Sequence, residues 1–498
     1  MSYTKKAIKG FSIVFFISII SAFVGYLIRI VLARNLSVAE YGLFFSVFTM
    51  ISFLAIFNNL GVPEALVKFV SEFLVKKKFN QIKSLIIISF LAQVLTGFIL
   101  AIVLFFLSNF LAKTYFKTQL AVPVILWFIL ILFLYNLRTL VKNIYQAFQR
   151  MVTYALMYLI ENILILVIIL FFLIFRKGIF IAIYSHILAY VIILIFFTAG
   201  LFKVFNFLEH KFIVKKKDVK GLFKFGLSIM FKGLGAVIIL YTDTLILTYF
   251  RSLEEVGIYN VVVPTVMMLM FFTNSIAAVI FPMVSELWTR KKKDYLVKGL
   301  EMLEKYSFVI IMPTAIILFA FSRIILSLMF GQAYASGSTA MQVLLIGIIF
   351  LSIYSIYQAA MAGIGKPEIP TKVYLQGALL NFLLNLLVIP KLGMIGAAIT
   401  SLIAYFYIFI RSVFNLRRLI KVSMPWLSWL KIFISGLVML GLILIITYKL
   451  YLNIYVEAIL ACLIGGLVYL GLIIIFRIIS IDEVKNFLKL FLKENLKN

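Results

Sequence analysis

The chain has 498 residues, of which 64% are apolar and 13% charged, against roughly 45–50% apolar in an ordinary soluble domain. That balance excludes a soluble globular protein and points to a polytopic membrane protein. The net charge of +29 would suit nucleic acid or a membrane surface, but the 47 Lys and Arg fall mostly in short loops between apolar runs. That placement favours anionic headgroups, and no nucleic-acid partner is expected.

In chain order, the first apolar stretch follows Lys5, Lys6 and Lys9 and is too long for a signal-peptide core of roughly 7–15 residues, so it reads as an uncleaved span. Runs long enough to cross about 30 Å of hydrocarbon at about 1.5 Å per residue then recur throughout. Hydropathy and turn residues place fourteen spans: 11–33, 41–60, 84–107, 120–140, 152–175, 179–203, 225–249, 256–281, 307–330, 341–362, 370–390, 394–414, 429–450 and 453–477. The runs are continuously apolar, without the alternation of transmembrane strands, so the fold class is all-α.

With the amino terminus inside, 36 of the 47 Lys and Arg fall on the cytoplasmic side and nine outside, with Arg29 and Lys232 inside spans. This asymmetry obeys the positive-inside rule and puts both termini in the cytoplasm of a cell-membrane protein. The runs Lys76–Lys78, Lys215–Lys217 and Arg290–Lys293 all fall on the inner side. Residues 478–498 put Val484, Phe487, Leu488, Phe491 and Leu492 on one helical face, the pattern of a helix lying on the inner leaflet. Cys462 stands alone in an apolar run, and His186 and His210 are too few and too far apart for a metal site.

ARNLSVAEYGLF (Ala33–Phe44) aligns with TYFRSLEEVGIY (Thr248–Tyr259) at an offset of 215, matching Ser37 with Ser252, Glu40 with Glu255 and Gly42 with Gly257. Each copy sits in the outer turn after the first span of a six-span set. A weaker match pairs Arg150 with Lys366 and Tyr158 with Tyr374. Six plus six spans in one orientation form a parallel repeat. The expected domains are a six-span lobe over 1–203, a cytoplasmic linker over 204–224, a second lobe over 225–414, two additional spans over 429–477 and the tail.

The turn LSVAEYG (Leu36–Gly42), with Gly61 and ALVKFVSEF (Ala65–Phe73), resembles the opening of polysaccharide biosynthesis flippases. So do Asp243–Gly257 and FPMVSEL from Phe281, and so, most specifically, do MAGIGKP (Met361–Pro367) and IPKLGMIGAAITSLIAY (Ile389–Tyr405), with Asn381 and Asn385 between. The resemblance covers about residues 10 to 475. It points to the lipid-linked oligosaccharide branch of the multidrug, oligosaccharidyl-lipid and polysaccharide exporter superfamily. It implies a twelve-span core of two lobes plus two spans, moving a polyprenyl-(di)phosphate-linked sugar from inner to outer leaflet by alternating access. By that likeness Arg29 and Lys232 stand where the cations of a hydrated lumen are expected.

A charge at a span centre costs at least about 2.5–3.5 kcal/mol unless paired or hydrated, which singles out Arg29, Glu161, Lys232 and Asp243. Lys232 and Asp243 lie eleven residues apart, within about 20° of one helical face at about 100° per residue. Arg29 and Asp243 stand at nearly one depth by the repeat, which suggests an ion pair. Arg29 and Lys232 could instead snorkel to the interfaces. Asp243 and Glu161 are read as lumen-lining, or else as a structural pair or neutral acids. The string GIGKP lacks the first glycine and the final Ser or Thr of a phosphate loop, so no ATP site and no cofactor are expected. A membrane glycosyltransferase or polymerase needs acidic or metal-binding residues on a large outer loop. Only Glu40, Glu254, Glu255 and Glu457 lie in or near outer loops, so no enzyme is expected. A multidrug exporter and a lipid II flippase are the rivals within the superfamily, and the coupling ion stays open.

Overall fold

The structure, a computed structural model, describes residues 3–175, 178–420, 422, 425–449 and 454–479, so the expected amphipathic tail lies almost wholly outside the described residues. Those residues form helices joined by turns, with no strand among them. Thirteen helices are long and apolar enough to cross a membrane, against the fourteen spans expected. The difference lies in one 52-residue element, Glu368–Leu419, which runs together the expected eleventh and twelfth spans. It breaks at Gly393, whose φ of 57° and ψ of −136° suit a residue without a Cβ, three residues after Pro390.

In chain order the helices are α1 (Tyr3–Asn35), α2 (Val38–Asn59), α3 (Val62–Val75), α4 (Phe79–Thr114), α5 (Ala121–Ala147), α6 (Met151–Leu173), α7 (Ile179–Val204) and α8 (Lys216–Phe250). There follow α9 (Leu253–Met267), α10 (Met270–Thr289), α11 (Lys293–Ala320), α12 (Ser322–Phe330), α13 (Ser338–Gly363), α14 (Glu368–Leu419), α15 (Trp426–Lys449) and α16 (Ile454–Ile475).

Three departures from the expected spans have local causes. The segment after span two is itself helical: Pro63 occupies the first turn of α3, where its missing N–H is not needed, and Val62, Leu66, Val70 and Phe73 bury one face. The expected span 256–281 is two helices, α9 and α10, which part shortly after Pro264; Met268 and Leu269 donate to Thr265 and Val266, the tighter i to i+3 pattern. The expected span 307–330 is likewise two, α11 and α12, parting at Phe321.

The chain forms two compact units. The first comprises Met1–Val261, Met329–Tyr334 and Asn385–Met394. In it α1 packs on α6, α5 on α4 and α7, and both α2 and α3 on α5 and α8. One apolar core joins Val62, Leu66 and Val70 to Ile82, Leu140, Ile144, Met157 and Leu222. The second unit comprises Val262–Leu328, Ala335–Leu384 and Ile395–Asn498. Its helix α10 packs on α13, and α11 packs on α13 and α15. The additional helices α15 and α16 join this core through Trp429, Met439 and Tyr469, whose hydroxyl donates to the Val309 carbonyl at 2.9 Å.

Candidate functional site in the first unit

The matched turns show what their shared residues do. Ser37 caps α2: its Oγ accepts from the Glu40 N–H at 3.2 Å, and the Glu40 carboxylate accepts from the Ser37 N–H at 3.0 Å. This is a capping box, in which the side chain of each residue accepts from the other's otherwise unpaired backbone N–H. Ser252 repeats half of it, accepting from the Glu255 N–H at 3.3 Å. Glu255 turns elsewhere, to Arg251 at 3.5 Å and the Met394 N–H at 2.7 Å.

The matched glycines face each other's turns. A Cβ on Gly42 would stand 1.8 Å from the Leu253 carbonyl oxygen, and one on Gly257 would stand 2.4 Å from that of Val38. Leu253 is the counterpart of Val38 at the same offset of 215, so the contact is reciprocal. The starts of α2 and α9 approach so closely that neither position tolerates a side chain without a shift.

Beside this contact stand two of the four candidate charges. Asp243 on α8 is buried; Tyr259 donates its hydroxyl to Oδ2 at 2.6 Å and Asn385 donates its amide to Oδ1 at 2.6 Å. Arg29 on α1 is half-buried, donates to the Asn260 carbonyl at 3.3 Å, and lies 4.3 Å over the Phe45 ring. Asp243 and Arg29 are thus fastened to consecutive residues of α9. Arg29 itself makes no salt bridge within 4.0 Å among the described residues.

Lys232 differs from both. It stands near the midpoint of the 35-residue α8, is exposed, and forms no hydrogen bond or salt bridge among the described residues. Its neighbour Gly233 has open space where a Cβ would be. Although Lys232 and Asp243 share a helical face, Asp243 is buried and Lys232 is exposed.

Glu161 on α6 is 3% exposed and forms a salt bridge with Arg138 on α5, also buried. The guanidinium lies 4.7 Å over the Tyr135 ring and 5.6 Å from that of Tyr190. Arg138 is the functional-type residue that sequence reading misses, because it lies two residues from the inner end of the expected span 120–140 and counts there as an edge charge of the inner loop. Leu140, Val141, Ile144 and Tyr145 carry the helical period on to Ala147, and that extension was the available signal. Neighbouring Asn162 donates to the Ser21 carbonyl at 2.9 Å, and buried His186 turns its Nδ1 to the Ala182 carbonyl at 2.7 Å.

The polysaccharide biosynthesis protein family model matches residues 7–288, more than half the chain. The chain belongs to that family. The MatE model matches residues 229–387, within the same exporter superfamily. The uncharacterized membrane protein MJ1068 of Methanocaldococcus jannaschii is 31% identical over 99% of this chain and 100% of its own length. The probable low-salt glycan biosynthesis flippase Agl15 of Haloferax volcanii is 21% identical over 55% of this chain and 58% of its own. Among solved structures, the lipid II flippase MurJ in an inward closed conformation superposes with a TM-score of 0.76 at 19% identity, covering 93% of this chain and 98% of that one. This family member is therefore a multi-pass membrane transporter of the exporter superfamily, and both Agl15 and MurJ bear the name of flippase.

Proposed function

We propose that the protein flips a polyprenyl-(di)phosphate-linked oligosaccharide from the inner to the outer leaflet by alternating access between two six-span lobes, with both termini cytoplasmic. The observation that carries this reading is Lys232, a cation inside an apolar helix, exposed and without a salt-bridge partner among the described residues. Phosphate charge cannot cross hydrocarbon unpaired, whereas an isoprenoid tail stays in lipid. A flippase of such a lipid needs fixed cations along a hydrated path, and Lys232 is available for that role. Arg29 supplies the second cation, its direction set by Asn260 and Phe45. Asp243 and Glu161 are the countercharges of the same lumen, one oriented by Tyr259 and Asn385, the other by Arg138.

The test is purified protein in liposomes, offered a polyprenyl-diphosphate sugar and a cationic dye in parallel. The lipid should move to the outer leaflet and the dye should not; Lys232→Gln and Arg29→Gln should each slow flipping at unchanged membrane abundance. Dye export without lipid movement would favour a multidrug exporter. Wild-type rates in both variants would return Arg29 and Lys232 to interfacial snorkelling.

A further inference from the structure

A cavity of about 350 Å³ opens in the first unit, away from Arg29, Lys232, Asp243 and Glu161. It lies between the start of α4 and the segment joining α7 to α8, and is lined by Lys77, Lys78, Asn80, Gln81, His210 and Lys215. Its walls are fixed to each other. Lys83 donates to the His210 carbonyl at 2.7 Å, the Lys211 N–H to Asn80 Oδ1 at 2.9 Å and the Ile213 N–H to Ser84 Oγ at 2.8 Å. Phe79 stacks on His210 with centroids 5.2 Å apart.

We propose that this cavity binds the phosphate headgroup of an anionic, hydroxyl-bearing phospholipid. Three lysines line it at the start of α4, which has no side-chain cap; the Gln81 and Ile82 N–H groups donate to the Lys78 carbonyl, which leaves those of Phe79 and Asn80 and the positive end of the helix dipole for an anion. An independent observation comes from Gln81. It is 7% exposed, lines the cavity, and its Oε1 is buried with no hydrogen-bond partner. Lysines and helix N–H groups explain phosphate; an orphaned acceptor among them calls for a donor on the ligand, such as a headgroup hydroxyl. A lipid rather than a free phosphate fits the surroundings, because Val75, Leu208, Phe212, Ile213 and Val214 are exposed apolar residues beside the lysines. Such a collar suits acyl chains below a headgroup at the membrane surface.

The site is separate from the proposed lumen and stands or falls independently of the flipped substrate. Full-length protein in neutral detergent is titrated with short-chain phosphatidylglycerol, and thermal stabilisation is read against short-chain phosphatidylcholine and inorganic phosphate. Saturable stabilisation by phosphatidylglycerol alone is expected. The triple change Lys77→Gln, Lys78→Gln, Lys215→Gln should weaken the apparent affinity about a hundredfold, at about 1 kcal/mol per lysine. Gln81→Leu should weaken it about fivefold through the lost acceptor, and Lys291→Gln with Lys292→Gln, in a lysine run outside the cavity, should not. Equal stabilisation by inorganic phosphate would overturn the lipid assignment. A Gln81→Leu protein that binds like wild type, or equal losses from the control pair, would overturn the cavity in favour of diffuse surface attraction. Both variants' own melting temperatures without lipid separate lost binding from lost folding.

Discussion

Each unit buries a glutamate in apolar surroundings, and the two are treated differently. Glu161 of the first unit meets a guanidinium, itself framed by Tyr135 and Tyr190. Glu304 of the second, on α11, is 1% exposed, has no hydrogen-bond partner for either carboxylate oxygen and forms no salt bridge within 4.0 Å among the described residues. Burial alone therefore does not decide how a carboxyl contributes. A pair is weak evidence for net stability, yet it makes each member indispensable to the other. A lone acid creates no such dependence.

The largest effect should follow from breaking the pair on one side. Arg138→Met leaves Glu161 buried without its countercharge and should cost about 3–5 kcal/mol. Thermal unfolding of detergent-solubilised protein, or recovered membrane abundance, reads the loss. Adding Glu161→Gln to Arg138→Met should restore most of it. A double variant as unstable as the single one would mean that the guanidinium acts through packing on the two tyrosines rather than through charge.

Much of the first unit was legible in the sequence, and the reasons lie in particular residues. The matched Ser37 and Ser252 mark helix starts because a hydroxyl three residues before a glutamate satisfies orphan N–H groups, a rule written locally. Lys232 and Asp243 stood out because a charge in an apolar run is costly wherever it points. What stayed hidden depended on partners distant in the chain. Arg138, at the edge of its expected span, counted as an inner-loop charge until α5 ran past it to Ala147, and Asn385 lies 142 residues from the carboxylate it holds. Helix breaks at Met268 and Phe321 were equally obscure, since hydropathy continues across them, whereas the break at Gly393 falls in the gap between two expected spans. Nor could a helical wheel foresee that Lys232 is open and Asp243 covered, because coverage depends on which neighbours arrive.

Asp243 sharpens the contrast, as a buried carboxylate to which two neutral side chains donate. Asn385→Leu and Tyr259→Phe each remove one hydrogen bond to a charged acceptor and should each cost about 1.5–3 kcal/mol. The two losses should not add independently, because both donors serve one carboxylate. A double-mutant cycle with Asp243→Asn checks this; additive losses would show that the donors act separately on the fold.

A charge-free comparison comes from the reciprocal glycine contact. Gly42→Ala and Gly257→Ala each insert a methyl against a carbonyl of the opposing turn and should cost about 1–3 kcal/mol through overpacking. Because the contacts mirror each other, the two variants should lose similar amounts. A large loss from one and none from the other would break the equivalence of the two matched turns.

The smallest effect is expected where the acid stands alone. Glu304→Gln keeps the side chain's shape while removing a group that is costly to bury in ionised form. No cation within salt-bridge distance is stranded by the change, so the expected result is neutral or a gain below about 1 kcal/mol. Unfolding temperature read alongside Glu161→Gln makes the comparison direct, for that substitution strands Arg138 and should destabilise. Should Glu304→Gln lose as much as Glu161→Gln, the second unit's carboxylate must be charged and paid for by a network of more distant groups. Arg417, whose charge already acts on Glu304, is then the residue to replace next.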